Sequence, residues 1–149
     1  KSEEIKIISG IAKVTDGDTI KIDQKKIRFF GIDAPEKKQK CKKAWLSISF
    51  ISFTKEYPCG KISTNKLKSI IQNKLIRCQI NGKDRYGRFI AECYRNQTNI
   101  NGWMVRNGYA VAYTKYSKKF VSMQKIAEKN KSGLWQGYFD MPWDWRKNK

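Results

Sequence analysis

The sequence predicts an α+β fold, a five-stranded β-barrel with about three α-helices packed on it. Three segments in the first 33 residues alternate apolar and polar side chains, and two more flank the turn signal "NGKDRYG". Segments with apolar residues at helical spacing lie between and after these strands. A chain of 149 residues supports one core, so we expect a single domain over 1–149, with its core at about 5–135 and an aromatic tail at 136–149.

The first three strands predict a meander, because only short polar connections separate them. The turn signal "DGDT" at Asp16–Thr19 follows the first strand, and residues 24–26 connect the second strand to the third. A turn centred on Gln24 and Lys25 would place Asp18 opposite Gly31. The three predicted strands are Ile5–Val14, Thr19–Asp23 and Ile27–Asp33.

Two helices are expected in the middle of the chain. The first is a short helix at Lys43–Phe53, inside a polar segment studded with aromatic residues. Ser63 or Thr64 predicts the N-cap of the second, because an apolar stripe at helical spacing follows. That stripe comprises Leu67, Ile70, Ile71 and Leu75.

The last third of the chain predicts a hairpin followed by two helices. "LIRCQI" and "RFIAECY" are the fourth and fifth strands. Asn99 predicts the N-cap of a short helix ending at Gly108, and a final helix is expected at about Ser117–Lys131, stopping at Gly133. The tail aromatics are expected to pack on the barrel rather than bind a ligand; they are Trp135, Tyr138, Phe139, Trp143 and Trp145.

The chain is strongly basic, with 32 Lys and Arg against 13 Asp and Glu and a formal net charge of +19. This excess favours binding to a polyanion, with nucleic acid as the leading candidate. Anionic membrane or glycan surfaces, or a generally lysine-rich proteome, would also account for it. No apolar run approaches the roughly eighteen residues of a membrane span. Because histidine is absent, catalytic triads, Cys-His pairs and zinc-histidine sites are excluded.

Three carboxylates are expected to converge at one end of the meander. Asp18 and Asp33 lie at the same end of the second hairpin, and Glu36 follows in the loop "DAPE". Clustered carboxylates repel each other unless a cation is present, and hard oxygen ligands suit Ca²⁺ or Mg²⁺ better than zinc. Each motif alone is more simply a hairpin turn or a solvated loop. Their convergence favours a metal site.

Two arginines could complete a phosphate-binding site beside these acids. Arg28 lies in the third strand, and Arg88 closes the motif "DRYGR" with Arg85 and Tyr86 beside it. Guanidinium groups bind phosphate oxygens bidentately and stabilise transition-state charge. Strict alternation puts Arg28 and Asp33 on opposite faces, so a shared site requires a bend, which we expect at Gly31. The alternatives are a structural ion pair and solvated hairpin charges.

The four cysteines predict two disulfides. Cys41 and Cys59 would close a loop of about nineteen residues just after Glu36. Cys78 and Cys93 are symmetric about the "DRYG" turn, so they could face each other across the hairpin. Two disulfides imply an oxidising compartment, although four buried free thiols in a cytosolic protein are the alternative. No signal peptide is visible, so a secreted or periplasmic location is inferred from the cysteines.

The motifs together resemble the staphylococcal nuclease (thermonuclease) family. In order they are "VTDGDTIKI", "IRFFGIDAPE", "DRYGR", "NGYAVAYTKY" and "QKIAEKNKSGLW", and the tail "MPWDWR" with the four cysteines is similar to an exported bacterial branch. The resemblance implies an OB-fold barrel with three helices and Ca²⁺-dependent hydrolysis of DNA and RNA that leaves 3′-phosphate products.

The resemblance also implies a role for each site residue. Asp18, Asp33 and the backbone carbonyl of Ala34 would hold Ca²⁺, although the family often has threonine where Ala34 stands. Glu36 would be the general base, and Arg28 and Arg88 would clamp the phosphate. The expected substrate contacts are Arg85, Tyr86, Tyr113 and Tyr116, and a one-residue length difference leaves the last two as alternatives for one position.

A different class of function also fits these residues. A catalytically silent OB-fold module would bind single strands without cutting them, and a polyanion-binding structural protein would account for the charge but not for the acids. The presence of all the expected acids and arginines favours the enzyme. We expect a monomer whose partners are DNA and RNA, preferentially single-stranded or locally melted.

Overall fold

The computed structural model describes residues 6–48 and 51–148. Its strands are β1 (Ile7–Ile11), β2 (Lys13–Asp16), β3 (Thr19–Ile22), β4 (Lys25–Phe29), β5 (Ile32–Asp33), β6 (Cys41–Ile48), β7 (Ile51–Tyr57), β8 (Leu75–Lys83), β9 (Phe89–Arg95), β10 (Thr98–Asn99), β11 (Val111–Ala112) and β12 (Gly137–Tyr138). Its α-helices within the described residues are α1 (Cys59–Ile71), α2 (Ile100–Arg106), α3 (Val121–Asn130) and α4 (Pro142–Lys147), and a 3₁₀ turn covers Gly133–Gln136.

The main sheet curls into the predicted five-stranded barrel. Its strands pair in the order β1, β8, β9, β4, β3, β2, and only Ala12 separates β1 from β2 along the chain. The first strand therefore pairs at both ends of this order, which closes the sheet. The pairing of β4 with β9 is parallel, whereas the other pairs in the barrel are antiparallel. The predicted start of the first strand at Ile5 lies outside the described residues.

The hairpin of β3 and β4 has a different register from the predicted one. Asp23 and Gln24 are the two turn residues, both with positive φ (49° and 67°), and Lys25 already pairs with Ile22. A two-residue turn of this kind matches the twist of the flanking strands. Asp18 consequently lies beside Phe29, whose N–H donates to the Asp18 carbonyl at 2.8 Å, and not opposite Gly31.

The predicted helix at Lys43–Phe53 is wrong. The described residues of this segment form the antiparallel strands β6 and β7, and β12 pairs with β6 on its other side. The ladder with β7, and the pairing of Lys42 and Lys43 with β12, give backbone groups of β6 hydrogen-bond partners without a helix. The predicted helix also included residues 49–50, which lie outside the described residues.

Helix α1 begins four or five residues before the two predicted caps, Ser63 and Thr64. It starts at Cys59 directly after Pro58, so Ser63 and Thr64 lie inside it. The Thr64 hydroxyl donates to the Gly60 carbonyl at 2.9 Å, as a hydroxyl within a helix can, and Ser63 donates to the Tyr109 carbonyl at 2.8 Å. The helix ends at Ile71, so Leu75, assigned above to its stripe, is exposed in β8.

The later helices follow the prediction more closely. Asn99 caps α2 through its side chain, which accepts the Gly102 N–H at 3.1 Å. Helix α3 begins at Val121 rather than at Ser117, and it ends with Lys131 in the left-handed conformation. Helix α4 lies in the predicted aromatic tail, where no helix was expected. No helix in the described part of the chain has the length and apolar composition needed to span a bilayer.

Both predicted disulfides are present. Cys41 is joined to Cys59, and Cys78 is joined to Cys93 directly opposite it in the β8–β9 ladder. The second disulfide lies in the barrel core beside buried isoleucines and Phe29. The first lies in a smaller core under α1 and the tail, with Leu134 and Val111.

Candidate active site

A cleft of about 960 Å³ opens beside the ends of β2, β3 and β4. Acidic side chains line one side of it, and the β8–β9 turn, with Asp84–Arg88, lines another. The turn after β11 and the tail helix α4 also contribute to its wall through aromatic and basic side chains. The cleft therefore brings together parts of the chain that are far apart in sequence.

Asp18 is almost fully buried, with 4% of its surface exposed. Its Oδ2 accepts the Ala34 N–H at 2.7 Å, and its Oδ1 accepts the Thr19 hydroxyl at 3.0 Å. The Arg28 guanidinium lies 3.4 Å from Oδ2. Burial alone would raise the pKa of Asp18, but the Arg28 charge and these hydrogen bonds outweigh it and hold the pKa below its usual range. Asp18 is therefore a carboxylate with a fixed orientation.

Gly31 supplies the bend that brings Arg28 and Asp33 to the same site. Its φ of +75° lies in the left-handed region, and it separates β4 from β5. Arg28 donates to the carbonyls of Phe29 and Ile32 at 2.8 and 2.9 Å, which wraps its side chain around the bend. Its other terminal nitrogen then lies 3.2 Å from Asp33 Oδ1. The bend at Gly31 thus lets Arg28 contact Asp33, although strict strand alternation would place the two side chains on opposite faces.

Asp33 has no solvent-exposed surface and contacts two guanidinium groups. Besides Arg28, it binds Arg146 of α4, whose Nη1 and Nη2 lie 3.0 Å from Oδ1 and 2.7 Å from Oδ2. Burial raises the pKa of Asp33 to about 6, although Arg146 and Arg28 act against this rise and the Asp18 charge adds to it. Arg146 was not among the site residues predicted from the sequence.

Asp16 is, after Arg146, the second site residue that was not predicted from the sequence. It ends β2, and its Oδ1 accepts the Asp18 backbone N–H at 3.1 Å. Burial, together with the neighbouring Asp18 charge, raises the pKa of Asp16 to about 8. Asp16 and Asp18 are therefore a closely spaced pair of carboxyl groups that together favour one proton. The motif "DGDT" contained this signal, since two acids two residues apart flank a tight turn.

Glu36 lies at the edge of the cleft, on the loop that follows β5. Its side chain is 31% exposed, and its Oε2 lies 3.5 Å from Arg146 Nη1. Gln39 holds the loop, accepting the Glu36 N–H through its side chain at 3.3 Å and donating to the Asp140 carbonyl at 2.8 Å. Gly60 lies so close that a Cβ there would overlap the Glu36 carbonyl oxygen. The backbone at Glu36 is therefore packed directly on α1.

Arg88 lies across the cleft from the carboxylates. Its Nε donates to Asp84 Oδ2 at 2.7 Å, a contact within its own hairpin turn. Burial would raise the pKa of Asp84, but hydrogen bonds from Arg88 and Tyr86 outweigh it and lower the pKa. Both Arg85 and Arg88 lie over the Tyr86 ring, at 5.1 and 5.6 Å from its centroid, and this ring is 68% exposed. The turn thus presents two cations and an aromatic face to solvent.

The two candidate tyrosines of the β11–α3 connection occupy different environments in the same cleft. Tyr113 stacks on Trp143 of α4, with ring centroids 4.9 Å apart and planes 14° from parallel. Tyr116 meets Tyr113 edge-on at 4.8 Å and is 62% exposed. Trp143 thus packs on a wall of the cleft, in line with the packing role predicted for the tail, whereas Tyr138 is 72% exposed. The geometry keeps both tyrosines as candidates for substrate contact.

A family model described as "Staphylococcal nuclease homologue" matches residues 26–137, about three quarters of the chain. This chain belongs to the staphylococcal nuclease family. The match begins in β4 and ends at β12. It therefore includes Arg28, Asp33, Glu36 and Arg88, whereas the acids of "DGDT" and helix α4 lie outside it.

Relatives of the family from bacteria and plants are similar to this chain. An uncharacterized endonuclease of Escherichia coli is 35% identical over 147 residues, covering 93% of this chain and 84% of that protein. A succinoglycan biosynthesis protein of Rhizobium meliloti is 34% identical over 132 residues, covering 87% and 65%. A probable staphylococcal-like nuclease of Oryza sativa is 31% identical over 126 residues, covering 83% of this chain but only 29% of that protein.

Whether a Ca²⁺ ion suits this member of the family can be judged from the donor atoms. The cleft offers carboxylate oxygens, which are the hard ligands that Ca²⁺ prefers. The Asp16–Asp18 pair, with its raised Asp16 pKa, is an arrangement that a cation would relieve. Within residues 6–48 and 51–148, however, no three acidic side chains are gathered tightly enough to enclose an ion, and Asp33 is paired with Arg28 and Arg146. The oxygen donors therefore suit Ca²⁺. The position of Asp33 is set by its ion pairs with Arg28 and Arg146.

Proposed function

We propose that this chain is a Ca²⁺-dependent nuclease that hydrolyses phosphodiester bonds of DNA and RNA with little sequence preference. One observation carries the proposal: Asp16, the buried Asp18 and the partly exposed Glu36 share a cleft with Arg28 and Arg88, and the fully buried Asp33 pairs with Arg28. A net charge of +19 attracts the polyanion that such a cleft would process. Nucleases and endonucleases among the similar proteins support the same reaction.

Glu36 is the proposed general base. Its carboxylate is accessible to water at the edge of the cleft, while its backbone is held by Gln39 and by the close approach of Gly60. Glu36 would take a proton from a water molecule as that oxygen bonds to phosphorus. The bond from phosphorus to the 5′ oxygen breaks, and that oxygen leaves as a hydroxyl once protonated. The products are a 3′-phosphate and a 5′-hydroxyl.

Arg28 and Arg88 are proposed to hold the phosphate and to stabilise the charge that develops on it. Guanidinium groups aimed at a developing negative charge lower the barrier most effectively where water is scarce. Arg28 is deep in the cleft with 13% of its side chain exposed, whereas Arg88 is 31% exposed. Arg88 would break its hydrogen bond to Asp84 and donate to the phosphate of the substrate instead. This assignment makes Arg28 the fixed cation and Arg88 the adaptable one.

Ca²⁺ would be held by Asp18, Asp33 and the carbonyl of Ala34, with Asp16 beside them. When bound, a divalent cation polarises the phosphoryl oxygen and lowers the pKa of a coordinated water. The chain's own contribution is to fix these oxygens, since the Ala34 N–H and the Thr19 hydroxyl both bind Asp18. Removal of Ca²⁺ by chelation should therefore abolish cleavage.

Substrate contacts outside the reacting phosphate are proposed for Arg85, Tyr86, Tyr113 and Tyr116. All four residues line the cleft, and bases of a single strand can stack on the tyrosine rings without sequence preference. Unpaired or locally melted strands should accordingly be the better substrates. We further propose that the protein acts as a monomer in a secreted or periplasmic setting, where its two disulfides are stable.

The test is cleavage of end-labelled single-stranded DNA and RNA, with Ca²⁺ or with a chelator. Glu36→Gln should lower the rate by about 10²–10⁴-fold without preventing binding. Glu56→Gln, the same chemical change on an exposed residue of β7, is the matched control and should cut at the wild-type rate. Mass spectrometry of the products should find 3′-phosphates. Equal rates for Glu36→Gln and wild type, or no Ca²⁺-dependent cleavage by wild type, would refute the proposal.

A second candidate is a nucleic-acid-binding module without catalysis. The observation in its favour is that two guanidinium groups already pair with Asp33. Such a module would bind single strands equally well with and without Ca²⁺, and its substrates would remain intact. The same assay therefore separates the two candidates, provided that binding is measured by fluorescence anisotropy alongside cleavage.

A further inference from the structure

Arg146 connects the C-terminal helix α4 to the carboxylates of Asp33 and Glu36. Its guanidinium binds both oxygens of Asp33, at 2.7 and 3.0 Å, and the nitrogen that reaches Oδ1 also lies 3.5 Å from Glu36 Oε2. Arg146 is about one third exposed, whereas Asp33 is fully buried. A planar fork on a carboxylate fixes both the position and the rotation of that carboxylate.

Helix α4 is itself held in place by contacts with two other segments of the chain. Trp143 stacks on Tyr113, and the Asp140 carbonyl just before the helix accepts the Gln39 side chain at 2.8 Å. Gln39 in turn holds the loop that carries Glu36. The helix that carries Arg146 is therefore fixed in place. It is linked to the Glu36 loop by two contacts, Gln39 with Asp140 and Arg146 with Glu36.

Asp33 keeps acceptor capacity for a further partner beside Arg28 and Arg146. Both arginines line the cleft with Asp16, Asp18 and Glu36, whereas Asp33 is fully buried against them. Asp33 Oδ1 accepts two of the described hydrogen bonds and Oδ2 accepts one, which leaves a lone pair on Oδ2 for a further partner.

We propose that Arg146 is a positioning residue that orients Asp33 for metal binding and holds Glu36 beside it, so that the C-terminal helix completes the active site. This inference rests on the proposed function. It differs from the roles given to Arg28 and Arg88, because Arg146 acts through the carboxylates and not on the phosphate. Partners of ligating groups commonly contribute 10–100-fold to metal affinity or activity, and we expect an effect of this size.

The experiment compares Arg146→Met and Arg146→Lys with Lys147→Met. The first removes the fork and the charge, the second keeps the charge without the fork, and the third removes a charge from the next, exposed residue of α4. Isothermal titration calorimetry with Ca²⁺ alone measures metal binding without turnover. We expect affinity to fall about 10–100-fold for Arg146→Met and several-fold for Arg146→Lys, and to stay within two-fold for Lys147→Met.

Kinetics at saturating Ca²⁺ add a readout that a loss of packing would not give. A misplaced Glu36 and Asp33 should lower kcat about ten-fold or more, while KM for a short single-stranded DNA changes less than three-fold. Far-ultraviolet circular dichroism and thermal unfolding establish that each variant is folded. If Arg146→Met does not fold, Arg146→Lys decides, and Ca²⁺ affinity equal to that of wild type in the folded lysine variant overturns the inference.

Two further outcomes would contradict the inference in different ways. Tighter Ca²⁺ binding by Arg146→Met would mean that the guanidinium competes with the cation and does not support its ligand. Wild-type Ca²⁺ binding and cleavage, retained in full by Arg146→Met, would overturn only the role of Arg146. Absence of Ca²⁺ binding and cleavage in wild type would overturn the proposed function together with this inference.

Discussion

Substituting Asp16 with Asn should stabilise the metal-free protein and weaken its binding of Ca²⁺. Asp16 lies beside Asp18 and accepts the Asp18 N–H, an interaction that the Asn side-chain oxygen can retain. The Asn amide can also donate to the Asp18 carboxylate, as a protonated Asp16 would. The substitution therefore keeps the shape and removes only the possibility of a second negative charge.

The magnitude follows from the pKa of Asp16, which burial raises from 3.8 to about 8. A group whose pKa is raised in the folded state contributes stability below its unfolded pKa, and this stability is lost as the pH rises through the folded pKa. One proton bound on folding corresponds to about 1.4 kcal/mol per pH unit. Between pH 5 and pH 8 the unfolding free energy of wild type should thus fall relative to Asp16→Asn by up to about 4 kcal/mol, a large fraction of the roughly 5–15 kcal/mol of a typical domain.

The assay is urea denaturation followed by circular dichroism at pH 5, 6, 7 and 8, with a chelator present and the disulfides intact. The difference in unfolding free energy between Asp16→Asn and wild type should widen steadily with pH. Asp23→Asn makes the same chemical change in an exposed turn and should show a constant difference. A difference for Asp16→Asn that does not vary with pH, or that shrinks as pH rises, would refute this account of the acidic pair.

Two other predictions concern elements that hold the site. Gly60→Ala would force its Cβ into the Glu36 carbonyl, so we expect a loss of about 1–3 kcal/mol and at least ten-fold slower cleavage. Lys61→Ala, at the next and exposed position of α1, should change neither, and a Gly60→Ala protein with wild-type stability would contradict the packing argument. Replacing Cys78 and Cys93 together by Ala removes a bridge across 15 residues and should lower the unfolding free energy by about 3 kcal/mol, measured by urea denaturation. An unchanged urea midpoint would show that this bridge adds no stability.

Much of the barrel could be predicted because its signals are local. Alternating side chains defined the meander and the β8–β9 hairpin, and the symmetric spacing of Cys78 and Cys93 predicted their pairing across that hairpin. The helix predicted at Lys43–Phe53 failed because β6 pairs with the next strand along the chain, β7, and with the distant strand β12. Propensity over a short polar window carries no information about such partners.

Within the candidate site, too, the residues close together in sequence could be predicted and the distant one could not. Asp18, Arg28, Asp33 and Glu36 lie close together in sequence on one meander, so their proximity could be inferred once a bend at Gly31 was allowed. Arg146 could not be inferred, because 113 residues separate it from Asp33 and only the packing of α4 brings them together. Asp16 was visible in its motif, but its environment depends on burial, which local sequence does not reveal.

The parallel pairing of β4 with β9 has a mechanical consequence for the cleft. Ile27 lies opposite Phe89 and Arg28 opposite Ile90, so the strand carrying Arg28 is joined by backbone hydrogen bonds to the strand that begins just after Arg88. The separation between the two arginine backbones is consequently a property of the ladder and is insensitive to which apolar side chains fill the barrel. Substitutions in the barrel core should therefore shorten the lifetime of the folded state before they change the distance between the Arg28 and Arg88 backbones.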